Sequence, residues 1–252
     1  MAFRSLHPQS GRGRQAEARR NDLVVLEAAR DVFAAQGADA PISAVAARAG
    51  VGVGTLYRRY GSKAELLQRL CVLAMEQALA AAGDALAAAD PWDGLCGYIA
   101  ACVELRSGAL ASLAGQIETT AEMRDTAGRS MARLDEIVTR AQAAGHLRAD
   151  VTALDISWLI EQFSRRPPGR ITEAEERNVR SRLVAIALDG LRAGPVPASG
   201  RPSTLPGQPP RRDHYVNRWS PGSPGPAAGR GRWPMPEVRP PASVPDMTER
   251  GG

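Results

Sequence analysis

The sequence predicts an all-α protein, with three short N-terminal helices, a long connecting helix, a C-terminal helical bundle and an irregular tail. Three observations lead there. Alanine and leucine dominate the apolar residues, with little clustering of valine, isoleucine and threonine, so intrinsic preference favours helix. Apolar residues recur at helical spacing, as at Val25, Ala29 and Phe33. No segment alternates apolar and polar residues as a half-buried strand would, and no repeat recurs at a fixed period. With 252 residues the chain can bury a real core.

Residues 1–20 carry Arg12, Arg14, Arg19 and Arg20 without an apolar face and read as a flexible basic arm. The first helix begins near Asp22 and stops at Gly37. Pro41 suits the first turn of a second helix, which runs through Ala49 and is stopped by Gly50. A third covers roughly Gly54 to Tyr60, ended by Gly61. Ser62-Lys63-Ala64-Glu65 is a capping box, opening a fourth helix that continues through Leu66, Leu70, Leu73 and Leu79 towards Asp90. After Pro91 the pattern predicts helices over 92–106, 108–118, 120–144, 152–164 and 172–192, broken at Gly108, near Thr119, at Gly145 and around Pro167-Pro168. Val179, Leu183, Ile186 and Gly190 share one stripe of the last helix. Fourteen of the 19 prolines lie beyond residue 193, so the tail 194–252 cannot offset its ordering entropy and reads as disordered.

Charge is distributed unevenly. Residues 1–70 hold eleven basic and six acidic residues, 71–193 hold thirteen and seventeen, and 194–252 hold eight and four. A basic head on an acidic body suits a polyanionic partner at one end only. The aromatic content of 4% argues against single-strand binding by base stacking. Cys71, Cys96 and Cys102 have no C-x-x-C spacing and only three histidines accompany them, so no metal or cofactor is expected and the compartment reads as reducing. The N-terminus lacks an apolar signal core, and Gly83 and Asp84 interrupt the longest alanine-rich stretch. A soluble, cytoplasmic chain without membrane contact is the expectation. Gly50, Gly52 and Gly54 follow no strand, and Gly61-Ser62-Lys63 is not the G-K-S/T order, so neither is a nucleotide loop. No nucleophile-base pair and no E-x-x-H pattern points to an enzyme.

The informative stretch is 42–61, ISAVAARAGVGVGTLYRRYG. Two short helices flank a turn where Gly50 can take positive φ, which a helix-turn-helix needs. Val45, Ala46 and Ala49 can face inward while Val51 plugs the turn. The following helix carries Thr55, Tyr57, Arg58 and Arg59, all able to reach phosphates or base edges.

Together with LEAARDVFAAQG before it and SKAELL after it, this stretch resembles the DNA-binding domain of the tetracycline-repressor (TetR) family, over about Asp22 to Leu79. The T-L-Y-x-x-Y/F-x-x-K core of that family is Thr55-Leu56-Tyr57-Arg58-Arg59-Tyr60-Gly61-Ser62-Lys63. The resemblance places Thr55, Tyr57, Arg59 and Lys63, the only lysine, at DNA-contacting positions, with Val53 and Gly54 at the tip of the recognition helix. Pro41 stands where Thr or Ser is common, so one phosphate contact is missing, and Gly54 offers no side chain to a base.

Between the basic arm (1–20) and the tail (194–252), the resemblance implies a helix-turn-helix domain (21–80) and a ligand-binding and dimerisation domain (81–193). It also implies a homodimer on palindromic operator DNA, a repressor released by a small-molecule effector, and no catalysis. The last two helices would pair with their two-fold mates through Leu154, Trp158, Leu159, Leu183, Ile186 and Leu191. Met123, Trp158 and Phe163, like Trp92, are large apolar groups suited either to a ligand pocket or to plain core packing; Glu118, Asp155 and Glu161 suit either a cationic ligand or a solvated face. The alternative reading is a non-specific, nucleoid-type DNA-binding protein.

Overall fold

The computed structural model describes residues 10–165, 172–194, 205 and 208–213. Its helices are α1 (Ser10–Gln36), α2 (Ile42–Ala49), α3 (Val53–Tyr60), α4 (Lys63–Ala87), α5 (Pro91–Glu104), α6 (Ala121–Ala143), α7 (Ala153–Ser164) and α8 (Glu173–Leu191), with a 3-10 segment Ser107–Leu113 after α5. No strand occurs among the described residues.

The caps follow from the sequence. Asp90 accepts hydrogen bonds from the backbone of Trp92 and Asp93 at the start of α5, where Pro91 takes the first helical position. Thr152 and Thr172 close reciprocal capping boxes with Asp155 and Glu175 at α7 and α8. At α4 only half of the expected box forms. The Ser62 hydroxyl accepts from the Glu65 backbone at 3.1 Å, but the Ser62 N–H donates to the Tyr60 carbonyl and Glu65 bonds the Ser62 hydroxyl instead. The tight turn at Gly61 has already claimed that donor.

Two cores share α4. The first joins Leu26, Phe33, Val45 and Leu56 to Leu66 and Leu70, and runs on into Leu110, Leu113 and Met123. The second joins Ala78 and Ala82 to Leu95, Ile99, Leu134, Ile137 and Ile156. Among the described helices α4 is long and apolar enough to cross a membrane by length and composition, with mean hydropathy 1.4 over its best window. Its apolarity has a use inside the protein, since ten of its residues are buried and it packs between α1, α5 and α6.

Three expectations change. Residues 10–20, read as flexible, belong to α1, because Arg14-Gln15-Ala16-Glu17-Ala18-Arg19-Arg20 are strong helix formers ahead of the apolar stripe; residues 1–9 lie outside the described residues. The helix expected at 108–118 is a short 3-10 segment, bracketed by Arg106 (φ 51) and Gly115 (φ 76) in left-handed conformations. Part of the tail is placed against the body: the Leu205 N–H donates to Asp150 at 2.6 Å and Arg212 pairs with Asp135 at 2.6 Å. Acidic partners on the body are invisible to a composition argument. The remainder of 195–252 and the Pro167-Pro168 break lie outside the described residues.

Gly108 makes the closest approach between layers. A Cβ there would stand 2.4 Å from the Glu161 Cα, and its N–H donates to the Ser164 hydroxyl at 3.2 Å. Backbone cannot yield as a side-chain tip can. Gly108→Ala is therefore expected to lower stability by about 1–3 kcal/mol, read as a lower urea midpoint at unchanged slope; an unchanged midpoint contradicts the tight contact.

Candidate nucleic-acid interface

The turn between α2 and α3 is built on Gly50, at φ 67 and ψ 28. The Val51 N–H returns to the Ala46 carbonyl at 3.0 Å, so the helix end is satisfied as the chain reverses. Ile42, Val45 and Ala46 bury one face of α2, and Val51 packs partly against the same core. Leu56 (0% exposed) and Tyr60 anchor α3 from beneath. The opposite face, with Gly54, Thr55, Tyr57, Arg58 and Arg59, is exposed.

Tyr57 is 46% exposed. Arg58 donates to the Thr55 hydroxyl at 3.4 Å. Arg59 Nε lies 2.7 Å from the Asp22 carboxylate, which also accepts the Tyr60 hydroxyl, so α1 steadies the end of α3. Val53 is half-buried against the core at the helix start. Lys63 is half-buried too, with Nζ 5.9 Å from the centre of the Phe33 ring. Thr55, Tyr57, Arg58 and Arg59 thus share one open face, and Lys63 stands at the N-terminal end of α4, one turn beyond it.

Charged contacts tie this unit to the body. Asp31 of α1 accepts from Arg48 of α2 at 2.9 Å and faces Arg106, ahead of the 3-10 segment, at 3.4 Å. The neighbouring Arg30 is buried and donates to the Leu105 carbonyl at 2.6 Å and to Gln77 of α4 at 2.8 Å. Burial pulls its pKa down, while Glu27 and Asp31 hold it up.

Behind these contacts lies a cavity of about 580 Å³, walled by α4, α5, the 3-10 segment, α6 and α7. Of the anticipated pocket residues Met123 lines it; Trp158 and Phe163 do not. Trp158 is half-buried on α7, Phe163 packs against the second core, and Trp92 is buried with the Arg192 guanidinium 4.6 Å from its ring centre. Glu161, weighed as a ligand group or a solvated face, is buried and lines the cavity. Sequence reasoning missed Met75, Met131, Arg124 and Arg212; the i, i+4, i+8 spacing of 123, 127 and 131 is the signal that could have found the α6 face. Cys71 and Cys102 also line it, and burial raises their thiols to about 12 and about 11, so they are small apolar wall groups and not reactive thiolates.

Comparison with known proteins fits this geometry. Residues 25–70 match the model for bacterial regulatory proteins of the tetR family, and residues 90–193 match the C-terminal domain of SbtR-like transcriptional regulators. A TetR regulator from Mycobacterium vanbaalenii is 31% identical over 71% of this chain and 98% of its own, with a TM-score of 0.49.

The chain belongs to the TetR family.

The ketosteroid transcriptional regulator of Mycobacterium tuberculosis has the same fold, at 22% identity over 69% of this chain and 96% of its own, with a TM-score of 0.51. No curated protein matches the chain. TetR proteins are DNA-binding transcriptional regulators, generally repressors, which act as dimers and bind small-molecule effectors.

The Tyr60–Asp22 contact gives a pH signature. Burial, followed by the bond to Asp22, raises the Tyr60 hydroxyl well above the ordinary value of 10.0. The folded chain keeps the proton where the unfolded chain would lose it. This contribution is therefore complete below pH 10 and declines as pH rises further. Tyr60→Phe is expected to flatten the alkaline limb of the stability profile, measured by urea unfolding between about pH 9 and about pH 11, one unit either side of the ordinary tyrosine value; an identical limb in both proteins argues against the contact.

Proposed function

We propose that this TetR protein is a repressor that grips a near-palindromic operator as a homodimer and releases it when a small molecule fills the cavity. The observation that carries this is the two-sided α3: Leu56 and Tyr60 sealed beneath, Thr55, Tyr57, Arg58 and Arg59 open above. An eight-residue helix held this way can enter the major groove with its N-terminal residues, Val53, Gly54 and Thr55, foremost. Tyr57, Arg59 and Lys63 then serve phosphates, the lysine assisted by the positive end of α4. Arg59 must exchange or share Asp22 to do so. In this reading 21–80 is the DNA-binding unit, 81–193 the effector and dimerisation unit, and the protein works in the cytoplasm without a membrane.

The homodimer has its own support. Val179, Leu183 and Ile186 of α8 are exposed, Ile186 to 65%, with the exposed Gly190 continuing the stripe. Three large apolar side chains in a row on one helix are costly to leave in water. A second copy pairing α7 and α8 across a two-fold axis covers them. Leu183 and Ile186 are then at the seam with Trp158 and Leu159, while Leu154 and Leu191 are already buried within the protomer. The pairing spaces two α3 helices for half-sites about 34 Å apart, one turn of duplex.

Release needs a ligand that prefers the DNA-incompetent arrangement. A ligand between α4 and α6 presses on α4, which both cores share, and on the 3-10 roof. From the roof, Arg106, Asp31 and Arg48 lead back to α2.

Lys63→Ala is expected to weaken binding to every duplex and to lower the slope of log affinity against log salt by about one; a slope equal to that of the wild type removes the phosphate role. Ile186→Arg is expected to yield monomers in sedimentation and to lose cooperative operator binding; a persistent dimer rejects the α8 seam. A footprint protecting one short two-fold symmetric sequence supports the repressor, whereas uniform protection favours a non-specific DNA-binding protein.

A further inference from the structure

The lining of the cavity includes a residue from beyond the helical body. Arg212 reaches it from the segment after α8 and is anchored by Asp135 of α6. Three charged residues line the cavity: Arg124, Glu161 and Arg212. Glu161 is 3% exposed and its carboxylate accepts from Arg165 at 3.0 Å, so this charge is matched within the protein. Arg124 is not matched in that way, and Arg212 is matched at one nitrogen only. Arg124 Nη1 donates to the Thr119 carbonyl at 2.7 Å, and Arg124 has no carboxylate partner among the described residues. Arg212 gives Nη2 to Asp135, and its other N–H groups have no partner among the described residues. Beneath them the wall is apolar and adaptable, with Met75, Met123, Met131, Leu134 and Ile160.

We propose that Arg212, which follows α8 in the sequence, completes this cavity, and that together with Arg124 it makes the cavity a site for amphipathic anions. Such a ligand has an apolar body seated among the methionines and an acidic group, carboxylate, phosphate or sulfonate, at the exposed arginines. A cationic ligand would meet the charge of Arg124, which has no carboxylate partner among the described residues, and a neutral one would leave guanidinium donors without an acceptor. An anion takes charge-assisted hydrogen bonds from a planar donor set that suits it. The inference rests on the reading of the cavity as the effector site and deepens it by naming the chemistry of the effector.

The test uses two fluorescent probes with the same aromatic body. One, 1-anilinonaphthalene-8-sulfonate, is an amphipathic anion; the other, N-phenyl-1-naphthylamine, lacks the sulfonate. In the full chain, Arg212→Ala and Arg124→Ala are each expected to weaken the sulfonate about threefold or more, the scale of a solvent-exposed charge contact, and to leave the neutral probe unchanged. A chain ended after Ala193 is expected to behave as Arg212→Ala does. If that shortened chain does not fold, the two point variants decide alone. Unchanged sulfonate affinity in both overturns the proposal, and so does equal weakening of both probes, which would make the arginines shapers of the wall and not readers of charge. Duplex binding is read separately. Variants that affect both probes alike while the wild type binds its operator remove this inference alone, and a wild type that binds no duplex while the variants weaken only the sulfonate removes the regulator reading alone.

Discussion

The molecule depends on one helix being indispensable to two cores. The first half of α4 seals the floor beneath the α3 anchor, and the second half forms a wall against α5 and α6. A close-packed interior transmits displacement because it has no slack to absorb it. A shift that accommodates an object between α4 and α6 is therefore carried to Leu66 and Leu70, and through them to Leu56. An unbroken 25-residue helix joins the two cores rigidly, where two separate helices would let each core relax on its own.

The DNA-facing unit was legible in the sequence because its signals are local. Gly50 needs its left-handed turn, Ser62 caps the next helix, and the alternation of Leu56 and Tyr60 with Thr55, Tyr57 and Arg59 separates the two faces of a short helix. What escaped was set by contacts distant in sequence. The 3-10 segment follows from Gly108 pressing on α7, more than fifty residues away. The anchoring of Arg212 follows from Asp135, on a helix that composition cannot connect to a proline-rich tail. The pocket was the least legible part. Its lining mixes alanine, methionine and serine, which look like ordinary core, whereas the large aromatics Trp158 and Phe163, which look like ligand platforms, lie outside it.

The exposed face of α3 is also less free than its exposure suggests. Arg59 is held by Asp22, Arg58 leans on Thr55, and Lys63 rests near the Phe33 ring. Side chains already restrained lose less rotamer freedom on meeting a partner, so part of the ordering cost is met during folding. The same restraint ties α1 to the proposed recognition face, because Asp22 sits on it.

Asp31 deserves a broader view than its two ion pairs. It divides one negative charge between Arg48 of the helix-turn-helix and Arg106 at the entrance to the cavity roof, beside the buried guanidinium of Arg30. Replacing Asp31 leaves Arg48 and Arg106 without their shared counterion, and replacing either arginine leaves Asp31 with one partner. Positions 31, 48 and 106 are thereby coupled, and the two halves of the protein are joined by charge as well as by α4. A chimera joining the reader of one relative to the chamber of another would have to carry this small electrostatic hinge across the splice intact.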